Sequence, residues 1–234
     1  MKSKQSGFTL IEIAIVLVII GLLLGGVLKG QELINSAKIK NVANDLNGIA
    51  AAVYGYQDRY KTYPGDDSGA TDRWGAVAKK GNKSGVLGGE FCGPTTLADS
   101  SADASAETAE AALFWQHLRF AGFIGGDTAS GEQPQNALGG IVGVQTGSGV
   151  AATPDMGGLV VCTSNLTGKI AEAIDRQFDD GIPNKGTLRV YDQNKVSIAR
   201  GCTSAVTSNK TRAANVATVD ASDDSNLYTV CKSI

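Results

Sequence analysis

The strongest constraint in the sequence is an apolar run near its start that contains a single carboxylate. Residues 8–28 hold no Lys, Arg or Asp, and Glu12 is the one charged side chain among them. About 20 apolar residues are enough to cross a bilayer as a helix. A charge at membrane depth costs at least about 2.5 kcal/mol and usually has a partner. The sequence therefore predicts a membrane-spanning helix in which another group neutralises Glu12.

The rest of the chain has the composition of a folded protein. The 234 residues are 42% hydrophobic with a net charge of −2, which fits one large domain or one domain plus a stalk. Nucleic-acid binding needs a basic face, so we do not expect nucleic acid as a partner. Lys2 and Lys4 precede the apolar run, and the positive-inside rule places that end in the cytoplasm. No A-x-A-like signal-peptide cleavage site follows the run.

Four cysteines lie beyond the apolar run: Cys92, Cys162, Cys202 and Cys231. An even number on the oxidising side of a membrane predicts disulfide bonds. Of the three possible connectivities we favour Cys202–Cys231, which leaves Cys92–Cys162. Two free buried thiols are the alternative.

The segment GFTLIE at residues 7–12 follows a short basic leader and resembles the N-terminus of type IV pilins and type II secretion pseudopilins. In that family prepilin peptidase cuts after the glycine and methylates the new amine, which implies cleavage after Gly7 and N-methylation of Phe8. The family's glutamate, which pairs with the amine of a neighbouring subunit, matches Glu12. The leader departs from the pattern at Ser6, where a basic residue often stands.

The resemblance also implies partners and a location. The partners are prepilin peptidase, other pilin or pseudopilin subunits in a homo- or hetero-polymer, the inner-membrane assembly platform and the membrane itself. The chain would cross the bacterial inner membrane once, with a periplasmic head, and then enter a filament or reach the cell surface. The implied domains are a leader (residues 1–7), a transmembrane or filament-core helix (8–30), an amphipathic spine (31–62) and a globular head (63–234).

Two small-xxx-small pairs stand in the apolar helix, Gly21 with Gly25 and Gly26 with Gly30. This spacing lets helix backbones approach closely in an apolar environment. The alternative is that glycine is simply common in membrane helices. Within a pilin-like segment we favour helix–helix packing in a bundle.

After Gly30 the pattern becomes amphipathic and then helix–strand mixed. Apolar residues at spacings of three and four predict one buried face: Ile39, Val42, Leu46, Ile49, Val53, Tyr56 and Tyr60.

A loop is predicted over 65–106, helices over 107–121 and 166–178, and strands over 141–145, 159–162, 188–191, 196–199 and 227–231. The predicted fold class is α+β, pilin-like, with the long helix packed on a small antiparallel sheet.

The sequence offers little for catalysis. His117 is the one histidine, and we expect it to be structural, solvated or hydrogen-bonded. Metalloprotease, serine-hydrolase and Walker A motifs are absent from the sequence, so we expect no enzyme and no cofactor. The acidic pairs 66–67 and 179–180 could contribute to a calcium site, as the major type II secretion pseudopilins bind calcium in a C-terminal loop. A cap and turn is the favoured interpretation of the second pair.

These patterns predict a structural subunit of a type IV filament, either a pilus or a type II secretion pseudopilus. The alternative is a minor or tip pilin-like adhesin, or a binding module, that captures a surface, a substrate or DNA. A third hypothesis is an anchored protein outside any filament that shares only the processing signal.

Overall fold

The computed structural model describes residues 9–89, 91, 97–99, 110–146, 156–193, 216–222 and 225–234. They form an α+β fold, as predicted. The helices are α1 (Leu10–Tyr60), α2 (Ala70–Trp74), α3 (Glu110–Phe120) and α4 (Gly168–Phe178), and the strands are β1 (Val142–Thr146), β2 (Leu159–Thr167), β3 (Leu188–Asp192) and β4 (Leu227–Ser233). By its internal contacts the chain divides into two compact units, Met1–Lys38 and Ile39–Ile234.

The first part of α1 has no buried side chain between Leu10 and Leu28. Its large apolar residues are all exposed, Leu10 to 89% and Leu24 to 59%. By length and composition α1 can cross a membrane, and none of its most apolar window is buried. The core helix of a water-soluble domain would bury such a window, because exposing apolar surface to water is unfavourable. The segment therefore fits a membrane-anchored protein.

The second part of α1 carries the predicted apolar stripe, and the structure confirms its orientation. Val42, Leu46, Ile49, Val53 and Tyr56 are buried in the main apolar core. The two ends of the stripe, Ile39 and Tyr60, are partly buried and pack against the same core. A helix of about 3.6 residues per turn brings residues at these spacings to one face.

The sheet is antiparallel throughout and has the strand order β1-β2-β4-β3. The C-terminal strand therefore lies between two strands that precede it in sequence. Both faces of the sheet are buried. One face joins the main core with Val161, Val190 and Val230, and the other forms a smaller apolar cluster that includes Phe91 and Tyr191.

This strand order brings together two cysteines whose disulfide pairing was predicted wrongly from the sequence. Cys162 of β2 and Cys231 of β4 are register partners on neighbouring strands, and they form a disulfide across a sequence separation of 69 residues. The favoured pairs Cys202–Cys231 and Cys92–Cys162 are therefore incorrect. The error arose because pairing was assigned by proximity in sequence, whereas β4 lies beside β2. Cys92 and Cys202 lie outside the described residues.

Several predicted element boundaries also change. The stretch predicted as a loop over 65–106 contains α2. Leu166, predicted to begin a helix, is the buried end of β2, and α4 begins at Gly168. The helix predicted over 107–121 is described from Glu110 and ends at Phe120, before Gly122 at φ +78°, a left-handed conformation that favours glycine. The strand predicted over 196–199 lies outside the described residues.

Candidate functional site

The N-terminus of α1 is capped by hydrogen bonds between Thr9 and Glu12. The Thr9 backbone N–H donates to Glu12 Oε2 (2.8 Å), and the Thr9 hydroxyl donates to the same oxygen (2.7 Å). The Glu12 N–H in turn donates to Thr9 Oγ1 at 3.4 Å. This reciprocal arrangement is a capping box, which satisfies backbone donors that an α-helix leaves free at its N-terminus.

The capping box gives Glu12 a role within its own chain that the sequence analysis missed. The signal was present, since Thr9 and Glu12 match the S/T-x-x-E spacing of capping boxes. A carboxylate in the first turn also interacts favourably with the positive end of the helix dipole. Glu12 nevertheless remains exposed, so the carboxylate stays accessible to a group outside the chain.

The remaining residues predicted for processing and packing are only partly described. Gly7 and Phe8 lie outside the described residues, so the predicted cleavage and methylation positions stay predictions. Gly21, Gly25, Gly26 and Gly30 are described, and an added Cβ at each would meet no described atom within 4 Å. These glycines therefore form an open, small-residue strip on α1 within the described chain.

His117 is a structural histidine, hydrogen-bonded as predicted. The ring is fully buried in α3. Lys79 O can only accept, so Nε2 carries the proton that it donates over 2.7 Å. Nδ1 is then unprotonated and accepts from the Gly65 N–H at 2.9 Å. Burial, together with the positive charge of Arg73, lowers the pKa of His117 to about 4, so the ring is neutral at neutral pH.

The first acidic pair, Asp66 and Asp67, is occupied by hydrogen bonds that hold loops. Asp66 accepts from the backbone N–H groups of Ser84 (2.8 Å) and Gly85 (2.9 Å). Asp67 accepts from the Tyr56 hydroxyl at 2.6 Å and forms an ion pair with Arg73. These contacts fasten the segment after α1 to the core, and they give both buried carboxylates hydrogen-bond partners.

The second acidic pair belongs to a larger cluster. Asp179 and Asp180 follow α4, and Asp175 lies one turn earlier on the same helix. Ligand oxygens from the three carboxylates lie within 4.8 Å of one another, and the cluster is the one group of potential metal ligands found among the described residues. Asp179 is the helix C-cap, so the predicted cap is present, and Asp175 extends it beyond a simple turn.

Comparison with protein families identifies the N-terminal segment. Residues 2–28 match the family model of the prokaryotic N-terminal methylation motif, the signature of type IV pilins and pseudopilins. No curated protein and no solved structure matches the chain. The motif implies processing by prepilin peptidase and assembly with other pilin subunits. It suggests a structural, non-enzymatic protein and, with the exposed apolar half of α1, fits a membrane-anchored one.

Proposed function

We propose that the chain is a structural subunit of a type IV filament, a pilus or a type II secretion pseudopilus, and that it polymerises through the N-terminal half of α1. The observation that carries the proposal is an exposed carboxylate, Glu12, inside the exposed apolar first part of α1, which bears the methylation motif. An apolar helix without a cover in its own fold needs lipid or other helices around it.

The charge on Glu12 supplies the specificity of that assembly. Cleavage after Gly7 would create an α-amine on Phe8 with an unperturbed pKa of about 7.7–8.0, and this amine is largely protonated at neutral pH. Both hydrogen bonds from Thr9 go to Oε2 of Glu12. Oε1 can therefore accept from the amine of a neighbouring subunit without disrupting the cap. A paired charge can leave the bilayer for a filament core, whereas an unpaired buried charge is strongly unfavourable.

The glycine strip supports the same interface. Because Gly21, Gly25, Gly26 and Gly30 have open space beside them, a second helix can approach the α1 backbone closely there. Small residues at this spacing are common where helices pack in an apolar environment. The strip and Glu12 lie in the same exposed half of α1, so one helical segment provides both packing and register.

The test is Glu12→Ala in the producing strain, combined with a cysteine reporter at Ile11 (Ile11→Cys) for cross-linking between subunits. We expect Glu12→Ala to remain in the membrane fraction but to lose the cross-linked polymers and the shearable filaments. The matched control is Glu32→Ala, which removes another exposed carboxylate of α1, one paired with Lys29, and should assemble normally. Normal polymers from Glu12→Ala would refute the proposed role of Glu12.

A further inference from the structure

A cavity of about 360 Å³ lies between α1 and α3 in the Ile39–Ile234 unit. Its walls are mostly apolar and come from α1, α3, β1 and the segment between α3 and β1: Ile49, Trp115, Phe123, Ile124, Pro134 and Val142. Gly48 of α1 also lines it, and an added Cβ there would meet no described atom within 4 Å. Glycine weakens a helix relative to alanine, and at this position its missing side chain leaves the cavity open.

Two hydrogen-bond donors on the α3 side of the cavity have no acceptor. Trp115 and Arg119 both line the cavity, and their spacing of four residues puts them on one face of α3. The Trp115 Nε1–H and the Arg119 Nε–H are buried and have no hydrogen-bond partner among the described residues. Native proteins leave few buried donors unpaired, because each one is unfavourable. A hydrogen-bond acceptor is therefore the group that this wall lacks.

The positive charge of Arg119 also has no anionic partner. Its Nη1 donates to the carbonyl of Ser130 (2.6 Å) and its Nη2 to the carbonyl of Glu132, and both of these acceptors are neutral. The carboxylates of Asp127 and Glu132 attract the guanidinium, but neither forms an ion pair with it within the described part of the chain. A guanidinium keeps its charge at neutral pH and binds carboxylates strongly.

The backbone after α3 leaves room beside the unpaired nitrogen of Arg119. Gly126 has φ +127°, a conformation that favours glycine, and an added Cβ there would lie 2.8 Å from Arg119 Nε. That separation is within the range of N–H···O hydrogen bonds. The space that a side chain at this position would fill is thus wide enough for an acceptor oxygen.

Asp45 of α1 is the other charged residue that lines the cavity. Unlike the two donors it is exposed, and it forms no ion pair with Arg119 in the described structure. Its negative charge disfavours a second anionic group at the α1 side, because like charges repel. A ligand with a single carboxylate, held at the α3 side, fits this distribution of charge.

We propose that this cavity binds a small apolar molecule with one carboxylate. The carboxylate would accept hydrogen bonds from Trp115 Nε1 and Arg119 Nε, and the apolar body would lie against Gly48 and Ile49. A volume of about 360 Å³ is at the lower end of the range for small-molecule sites. It is large enough for a ligand with one aromatic ring. The residues of this site are distinct from Glu12 and the glycine strip, so the proposal is independent of filament assembly.

The experiment compares three ligands that share a phenylpropyl body: 3-phenylpropionate, its neutral amide and 3-phenylpropylamine. The full chain in detergent carries Trp74→Phe, which leaves Trp115 as its one tryptophan, so a fluorescence change reports binding beside Trp115. For a ligand of this size we expect 3-phenylpropionate to bind with a Kd of about 0.1–5 mM. The amide should bind about tenfold more weakly, because it lacks the charge that strengthens hydrogen bonds to arginine, and the amine should bind more weakly still.

Two variants and one control locate the ligand. Gly48→Leu fills the cavity from α1 and should weaken binding of 3-phenylpropionate at least tenfold. Ala51→Leu adds a similar bulk at an exposed residue of the same helix outside the lining and should bind as the parent chain does. Arg119→Gln should remove the preference for the carboxylate over the amide, and Gly48→Leu decides the question if that variant does not fold.

The proposal is overturned by any of four results. The first is no saturable fluorescence change with 3-phenylpropionate, and the second is equal affinity for the amine. The third is unchanged affinity in Gly48→Leu. The fourth is a preference for the carboxylate that persists in folded Arg119→Gln.

Discussion

Acidification should destabilise the Ile39–Ile234 unit through the buried ring of His117. The ring donates through Nε2 to Lys79 O and accepts at Nδ1 from the Gly65 N–H. A second proton on Nδ1 would oppose the N–H of Gly65 and place a charge in a fully buried position. The pKa of His117 is accordingly lowered from 6.5 to about 4. The unfolded chain therefore binds a proton at a pH where the native chain does not.

The size of this loss in the free energy of unfolding follows from proton linkage. Because the native pKa lies below the unfolded pKa, the stability from neutral His117 is present above about pH 6.5 and is lost as the pH falls toward about 4. Between about pH 7.5 and about pH 5 the two pKa values correspond to a loss of about 2 kcal/mol in the free energy of unfolding. Asp175, whose native pKa is raised to about 6, acts in the opposite direction, since protonating its carboxyl favours the native state.

The contributions of His117 and Asp175 to the free energy of unfolding are separated by comparing the wild-type chain with a variant that lacks His117. Urea unfolding of the full chain in detergent is followed by tryptophan fluorescence, because Trp74 and Trp115 both lie in the Ile39–Ile234 unit. In the His117→Gln variant the side chain at position 117 cannot titrate, whereas Asp175 and the other carboxyl groups are unchanged. The difference between the wild-type and His117→Gln stabilities should shrink by about 2 kcal/mol over this pH range. A pH-independent difference would refute the assignment of a neutral, buried His117.

Two further predictions concern the packed head. Replacing Cys162 and Cys231 by serine together should cost about 4 kcal/mol in the free energy of unfolding, because the bond closes a loop of 69 residues; urea unfolding measures the loss, and a loss below about 1 kcal/mol would contradict it. Leu46→Ala should cost about 2–5 kcal/mol because the side chain is fully buried. The matched variant Leu24→Ala changes an exposed side chain and should leave the fluorescence-monitored unfolding unchanged within about 0.5 kcal/mol, whereas equal losses would contradict the burial of Leu46.

Features that depend on residues near one another in sequence were predictable. The apolar stripe from Val42 to Tyr56 was predicted from helical periodicity, and its side chains are buried in the structure. The capping box of Thr9 and Glu12 depends on three residues of spacing and could have been predicted by the same local reasoning. Helix α4 was correctly expected to end before Asp179, since Asp-Asp-Gly follows it.

Features that depend on strand order were not predictable in this way. The disulfide requires β4 to lie beside β2, an arrangement with no trace in the spacing of the cysteines. Likewise, Asp175 reads in sequence as an ordinary polar residue of an amphipathic helix. Only the packing of α4 against the core removes its carboxylate from water and leaves it without a partner.

The sequence by itself determined the long helix, its apolar exposed half, its buried stripe and the methylation motif, because each arises from contacts within a few turns of one helix. The tertiary structure alone decided which cysteines pair, because β2 and β4 are far apart along the chain and a one-dimensional pattern does not record that they become neighbours. It also decided that the Asp175 carboxylate is buried without a hydrogen-bond partner, because that depends on how α4 packs against the core.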